Sequence, residues 1–529
     1  MLGNMGAIKK SAEKGGTRQT RKRARAQRKA ERSATTRVAQ LDFGPLRNRY
    51  PPMEPLSEDQ VEAIHQASLK VIRDLGIEIM SEPVRQAFAR QGAKVDHDTG
   101  IVCADPQMIL DLVSQAPAEF TLTPRNPAHA ITLGGNHVHF GLVSGPPNVH
   151  DRVNGRRPGN FADYQRLISL GQYFNAISVF GNQTVATQDL PVGTRHLDSY
   201  RANLTLADKV FSAIPIGRGR VNDAVQMLAL VRGISVDDLH RSPSLIGNIN
   251  INSPRKLDEA MSDGALALAA HGQAVIVTPF TLLGAMTPVT LAAGLVQQNA
   301  EALMGLAMIQ LFYPGNPVVY GGFTSNVDMR SGAPAFGTPE NAKANLAGGQ
   351  LARRYGLPYR TSACNASNAA DAQGVYETQM ALWGAVMGHG NLVYHAAGWL
   401  EGGLVASFEK LVLDIELIQH LVHLLQPIDT SESELGLDAI AAVAPGGHFF
   451  GTEHTMARYE NAFYEPFLSD WQNSESWAAA GAADATERAT DTWQDILKDF
   501  EAPPLDVARR EALDDFVTRR KKEIGTGEP

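Results

Sequence analysis

Eight short apolar runs, each followed by a helix-compatible stretch, recur through the middle of this chain and restrict it to very few folds. They occupy residues 137–145, 176–182, 208–215, 243–250, 273–280, 317–322, 357–363 and 391–398. Each is short enough for a buried strand and ends in or beside Gly, Ser, Asn, Pro or Thr, which favour turns. Their starts are 30 to 44 residues apart, which matches the length of a βαβ unit. Helix-start signals lie between them: Thr338-Pro339-Glu340, Ser253-Pro254 and Thr287-Pro288 each put a capping residue before a proline. No dinucleotide-type glycine fingerprint follows the first run. The pattern predicts an α/β fold, a (β/α)8 TIM barrel over residues 137–455 including a closing loop.

The flanks differ in character. Residues 41–136 predict an α-rich cap segment, with helices over 57–76, 81–91 and 105–116 and Ser57 as a cap. Residues 456–529 predict a helical extension that packs outside the barrel or joins subunits, and a homo-oligomer is expected. Residues 1–40 predict a disordered basic arm, with 12 Lys and Arg against two acids between residues 9 and 37. The arm lacks the apolar stretch of a signal peptide. Removing its +10 from the chain's net charge of −8 leaves about −18, which argues against nucleic acid as the main ligand. Cys103 and Cys364 are the only cysteines, so a disulfide framework is excluded and a cytoplasmic location is expected. No apolar run reaches the ~18 residues of a membrane span.

In such a barrel, chemistry sits at the carboxyl ends of the strands and in the loops that follow. The sixth loop runs from Tyr320 through Gly322, Phe323, Asp328 and Arg330, and it is long and glycine-rich. The seventh carries Cys364, Asn365 and other small polar residues, and the eighth strand and loop add Tyr394, His395, Trp399 and Glu401. Aromatic rings and carboxylates therefore gather at one end.

Several blocks carry a resemblance. Gly284-Ala-Met-Thr-Pro-Val-Thr-Leu-Ala-Ala-Gly294, Asn299-Ala-Glu301, Pro314-Gly-Asn-Pro-Val-Val-Tyr320, Asp328-Met-Arg330, Asp371-Ala-Gln373 with Glu377, and Pro445-Gly-Gly-His448-Phe-Phe-Gly-Thr-Glu-His454-Thr455 together resemble the trimethylamine methyltransferase family over residues 56–477. The resemblance implies an amine:corrinoid protein Co-methyltransferase, which moves a methyl group from a methylated amine to the cobalt of a corrinoid (cobalamin) carried by a partner protein. No metal bound by the chain itself is expected. Trimethylamine enzymes of the family carry pyrrolysine near the seventh strand, whereas this chain has ordinary residues from Cys364 to Asn368. The pyrrolysine-free branch implies a quaternary amine such as glycine betaine.

That chemistry suggests roles. Tyr320, Phe323, Tyr394 and Trp399 would face a trimethylammonium group, with Asn365 beside them; as plain core, the same rings plug the barrel mouth. Glu377, Glu401 and His395 are the catalytic candidates, although the two carboxylates read equally as ion-pair partners. Arg330 would grip a substrate carboxylate or pair with Asp328. Gly322, His448 and His454 would face the corrinoid. Cys364 reads as a small buried hydrophobe. Two other classes stay open: a metal-assisted hydrolase using His395, His448 and His454, and a catalytically silent quaternary-amine binder.

Overall fold

The computed structural model describes residue 38, residues 40–525 and residue 527; the expected basic arm falls outside this set, save residues 38 and 40. Eight parallel strands close on themselves: β1 (His139–Leu142), β2 (Ile177–Phe180), β3 (Val210–Ala213), β4 (Ile246–Ile251), β5 (Ala274–Pro279), β6 (Val318–Gly321), β7 (Tyr359–Ser362) and β8 (Leu392–Ala397). Each falls on one of the eight apolar runs, each pairs with the next, and β8 pairs with β1. The outer ring is α1 (Phe161–Tyr173), α2 (Arg195–Leu206), α3 (Arg218–Arg232), α4 (Glu259–Ala270), α5 (Leu291–Phe312), α6 (Pro339–Arg354), α7 (Ala372–Met387) and α8 (Phe408–Leu424).

Local chemistry sets the helix starts. Thr338 caps α6, its hydroxyl accepting the Asn341 N–H at 3.2 Å, with Pro339 in the first turn; such a cap is worth about 1 kcal/mol. The Ser253-Pro254 signal marks a turn instead. There the buried Glu301 carboxylate accepts from the Ser253 hydroxyl at 2.6 Å and the Arg255 N–H at 2.7 Å, and Asp258 caps α4. Likewise α5 begins beyond Thr287-Pro288, at Leu291.

Strand parity decides what faces inward. Val179, Val210, Ile246, Ala274, Ile276, Val319, Leu392 and Tyr394 share one core with Leu122, Ile131 and Leu133. The last three come from an antiparallel hairpin, Glu119–Leu122 with Ile131–Gly134, which plugs the amino-terminal end of the barrel.

The rest of the preceding segment lies along α5. Its helices Glu58–Lys70, Glu82–Arg90 and Pro106–Val113 match the expected ones, and Ser57 forms a capping box with Gln60. The segment also holds strands unseen in the sequence, Ile77–Ile79, Lys94–Val95 and Ile101–Cys103, in a sheet with Lys256–Leu257 of the β4–α4 loop. Covered on both sides, α5 is buried along most of its length, and the polar side chains it buries, Gln298, Asn299, Glu301 and Gln310, are hydrogen-bonded.

At the carboxyl end two small sheets wall the mouth. One joins Trp399–Leu400 and Val405–Ser407 to Asn148–Asp151 and Gly155–Pro158; the other joins Thr281–Leu283, Thr324–Val327 and Pro334–Ala335. The carboxyl-terminal helix Ala485–Lys498 packs on α8 and α1, and Val507–Ile524 packs on α2 and α3. Among the described residues no helix is long and apolar enough to cross a membrane.

Candidate active site

A cavity of about 270 Å³ opens at the carboxyl ends of the strands, lined by residues from seven segments including Ser144, Asn182, Ser212, Asn248, Asn250, Phe323, Arg360, Tyr394, His395 and Trp399. Its size is near the lower end of ligand pockets and suits a small metabolite. A second cavity beside the plugged end, between Leu46 and Val422, measures about 50 Å³ and is too small for such a ligand.

The lining carries one fixed charge and no carboxylate. That charge is Arg360, on β7, whose inward residues are Arg360 and Ser362 while Tyr359 and Thr361 turn to α6. The outward pair is seen in Thr361 donating to Asn345 Oδ1 at 2.8 Å and Gly348 lying against the Tyr359 hydroxyl. Arg360 is 3% exposed, and its guanidinium sits 5.2 Å from the ring centroids of both Phe323 and Tyr394. Nη2 donates to His395 Nε2 at 3.2 Å, Nη1 reaches the Gly322 carbonyl at 3.4 Å, and the buried Nε has no partner. Burial pushes its pKa down to about 10, so it remains a cation at neutral pH.

His395 reaches the cavity through a break in the strand. Leu392 and Tyr394 point inward, so strict alternation would send the next residue outward. The β8–β1 register shifts between Val393 and Ala397, and His395 has φ +57°; a bulge of this kind re-aims a side chain at a cost of order 1 kcal/mol for a non-glycine residue. Because Nε2 accepts from Arg360, the ring proton is on Nδ1, which is buried without a partner. Burial, with Arg360 adding to it, holds the imidazole pKa well below its usual value. His395 is therefore a neutral donor.

The aromatic wall is interlocked. Trp399 lies 4.3 Å from His395 between ring centroids and meets Phe323 and Phe336 edge-on at 6.4 and 6.3 Å. Phe323 stacks on Phe336 at 5.3 Å. Asn365 clamps the tryptophan from behind: its carbonyl accepts the indole N–H at 3.2 Å, and its side-chain amide donates to the Trp399 carbonyl at 2.5 Å. That amide also reaches Thr378, to which the buried Lys410 donates at 2.8 Å. Tyr394 shares a 2.7 Å hydrogen bond with Ser212.

Phe323, Tyr394, His395 and Trp399 thus come together in the cavity, with Asn365 directly behind. The remaining candidates lie elsewhere. Tyr320 follows the inward Val319 and so points outward, its hydroxyl donating to Asn299 of α5 at 3.1 Å. Glu377 Oε2 accepts the N–H groups of Ala366 and Ser367 at 2.9 and 3.0 Å, and Oε1 accepts from Gln373; it ties down the seventh loop. Glu401 forms a two-oxygen ion pair with Arg156 at 3.0 and 3.1 Å.

Asp328 and Arg330 are exposed at the tip of the sixth-loop hairpin, where the Asp328 carboxylate accepts the N–H of Arg330 and both donors of Ser331. Gly322 is buried against the Tyr359 hydroxyl rather than presented at the mouth. His448 and His454 lie on an excursion that leaves the barrel from the end of α8. Barrel helices run opposite to their strands, so the excursion leaves at the plugged end, and neither histidine lines the cavity. The three histidines of the hydrolase reading therefore do not converge. Cys364 is fully buried, and burial pushes its thiol pKa up.

The sequence reading missed Arg360. Its signal was present: a lone charge inside an apolar run, at the parity that faces the barrel axis.

Comparison with known proteins gives this geometry a family. The trimethylamine methyltransferase family model matches residues 21–525. The chain is 35% identical over 471 residues to the glycine betaine methyltransferase of Desulfitobacterium hafniense (strain Y51), covering 89% of this chain and 98% of that one. It is 29% identical over 478 residues to the trimethylamine methyltransferase MttB of Desulfitobacterium hafniense (strain DSM 10664 / DCB-2), covering 89% and 94%. Among solved structures, the monomethylamine methyltransferase of Methanosarcina barkeri is similar at 11% identity and a TM-score of 0.48, over 88% of this chain and 91% of that one. By its match along nearly the whole barrel and both flanks, the chain belongs to the trimethylamine methyltransferase family.

Proposed function

We propose that this chain is an amine:corrinoid protein Co-methyltransferase whose substrate is a small quaternary ammonium carboxylate of the betaine type. The observation that carries the substrate class is Arg360, a buried cation with no carboxylate in its cavity and beside two unpartnered N–H donors, its own Nε and His395 Nδ1. A buried charge without a counter-ion is costly, and a substrate carboxylate would supply both the opposite charge and the missing acceptors. The trimethylammonium end would lie against Trp399 and its neighbours, each such contact being worth about 0.5–2 kcal/mol. Trimethylamine offers nothing to Arg360. The similarity to a glycine betaine methyltransferase supports the same class.

The corrinoid, carried by a partner protein, supplies the nucleophile as reduced cobalt. What this chain contributes is position and dryness. With the carboxylate on Arg360 and the ammonium against the aromatic wall, one methyl group is presented to the mouth, and fixing such a geometry lowers a barrier by roughly 7–11 kcal/mol in favourable cases. The leaving group departs as a neutral tertiary amine, so no general acid is required, in keeping with a His395 that stays neutral. Glu377 and Glu401 serve the loops that hold the wall.

The test is anaerobic incubation with a reduced corrinoid protein, or free reduced cobalamin, and a panel of glycine betaine, proline betaine, carnitine, choline and trimethylamine. A methylcobalt spectrum with a carboxylated member, and none with trimethylamine, is the expected result. Methylation from trimethylamine alone, or from none of the panel with any corrinoid protein, overturns the reading.

A further inference from the structure

Trp399 is held by a closed circuit of hydrogen bonds, and the circuit runs through a buried ion pair. It is gripped along the backbone on both sides. Asp414 Oδ2 accepts the N–H of the preceding Gly398 at 2.9 Å, and the Asn365 amide donates to the Trp399 carbonyl. From Asn365 the path continues to the Thr378 hydroxyl at 3.1 Å and on to Lys410 Nζ at 2.8 Å, and Lys410 closes it by pairing with Asp414. The Thr378 oxygen accepts from both neighbours, which fills its two lone pairs. The indole itself is pinned too: its N–H donates to the Asn365 carbonyl, and Gly403 lies so close that a Cβ there would stand 2.5 Å from the ring.

The ion pair is poorly placed for a purely stabilising role. Lys410 and Asp414 are both buried, and burial pushes the lysine pKa down and the aspartate pKa up, so each charge depends on the other. Lys410 stands in the first turn of α8, where the helix dipole opposes a cation. It also precedes its acid by four residues, the weaker order for such a pair. Well-packed apolar residues in such a place are often neutral or stabilising. What the pair does, and apolar groups do not, is tie Gly398 and Thr378, from two different segments, to one turn of α8.

We propose that Lys410, Asp414 and Thr378 are positioning residues that fix the Trp399 indole at a set distance from Arg360. The proposal rests on the reading of Trp399 as the wall for the ammonium and of Arg360 as the anchor for the carboxylate. Tyr394 is carried by a barrel strand, whereas Trp399 lies beyond β8, past Gly398 at φ +92°, on a two-residue strand of the wall. The circuit supplies the stiffness that so short a strand lacks. A betaine held at both ends is short and nearly rigid, so the separation of its two anchors decides whether a methyl group points at the mouth. A misplacement of ~1 Å at such a site lowers the rate by about 100-fold.

The experiment is fluorine NMR of the full chain labelled with fluorotryptophan. The chain has five tryptophans, and the Trp399 resonance is assigned by its loss in Trp399→Phe. Trp493, which packs on Phe408 in the same turn of α8 at 4.9 Å, is assigned in the same way and reports whether α8 stays seated. Thr378→Val cuts the circuit and is expected to shift the Trp399 resonance by more than its linewidth while Trp493 stays in place. Thr378→Ser keeps the hydroxyl and is expected to restore it. With glycine betaine and free reduced cobalamin, Thr378→Val is expected to lower kcat at least about tenfold, with KM changed less than about threefold. Circular dichroism and thermal melting check folding, and Lys410→Met with Asp414→Leu takes the place of Thr378→Val should that variant not fold. A folded circuit variant whose Trp399 resonance stays in place, a shift shared equally by Trp493, a serine variant that does not restore the signal, or an unchanged kcat overturns the inference. The resonances are read without substrate, so a wild type that transfers no methyl group counts against the methyltransferase reading and leaves this test to decide by NMR alone.

Discussion

Arg360 donates to His395 Nε2 at 3.2 Å, and this one contact sets the electrostatics of the cavity. It keeps the guanidinium in place, directs the imidazole proton to Nδ1 and leaves both residues with an N–H group that no protein atom accepts. Without ligand, the arrangement is a destabilised one.

The first prediction follows from that cost. Arg360→Met removes a buried cation that lacks a counter-ion and replaces it with a side chain that packs on Phe323 and Tyr394. Ligand-free melting is expected at or above the wild-type temperature, since replacing buried charge with apolar groups is neutral to stabilising by about 1–4 kcal/mol. The stabilisation that glycine betaine gives the wild type is expected to vanish. Differential scanning calorimetry with and without ligand reads both.

Trp399 is expected to carry much of the cation's binding. Trp399→Leu keeps an apolar wall and loses the π face, a loss of about 0.5–2 kcal/mol, or roughly 2- to 30-fold in affinity. Trp399→Phe is expected to fall between. Titration calorimetry with glycine betaine measures the series, and equal affinity for all three proteins would remove the tryptophan from the substrate contact.

For Glu377 the expected effect is on stability. Glu377→Gln weakens two backbone hydrogen bonds to a carboxylate oxygen, worth about 1.5–3 kcal/mol each when charged. Denaturant unfolding is expected to show a loss of about that size for one bond or more, with ligand affinity changed less than threefold. A hundredfold loss of methyl transfer in a fully folded variant would return Glu377 to the chemistry.

Acid sensitivity has a named contributor at the plugged end. His139 donates from Nε2 to the Thr132 carbonyl at 2.9 Å, and burial holds its pKa down to about 4 against a usual 6.5. As pH falls below 6.5 the unfolded chain takes up a proton that the folded one refuses. The stability is thus complete above 6.5 and lost as pH falls towards 4, amounting to roughly 3 kcal/mol. His139→Gln keeps a donor and does not titrate. Its unfolding free energy is expected to fall less than that of the wild type between pH 7.5 and 4.5, and parallel curves would contradict the assignment.

The barrel was legible because its signal is local and repeated: eight apolar runs, spaced as βαβ units, became eight strands. The site was legible in part. Phe323, Tyr394 and Trp399 stand where strand ends and loops place them, but Tyr320 was misplaced by one residue of parity, since only the neighbouring Val319 can face inward. Arg330 stands at the wrong depth for the expected role, on a hairpin tip, whereas Arg360 in the next strand brings a guanidinium into the cavity. His395 enters through a bulge that sequence alternation alone would have sent outward. The course of the excursion bearing His448 and His454 is set by tertiary packing at the end of α8, on which a local motif is silent.

The most direct measurement of the central claim compares glycine betaine with choline, which shares the trimethylammonium group and lacks the carboxylate. Titration calorimetry of wild type and Arg360→Met gives four affinities. The account predicts a wild-type preference for glycine betaine of at least tenfold, the value of one charge-assisted hydrogen bond or more, and its disappearance in the variant. Equal affinities in the wild type, or a preference that survives the loss of Arg360, would contradict it.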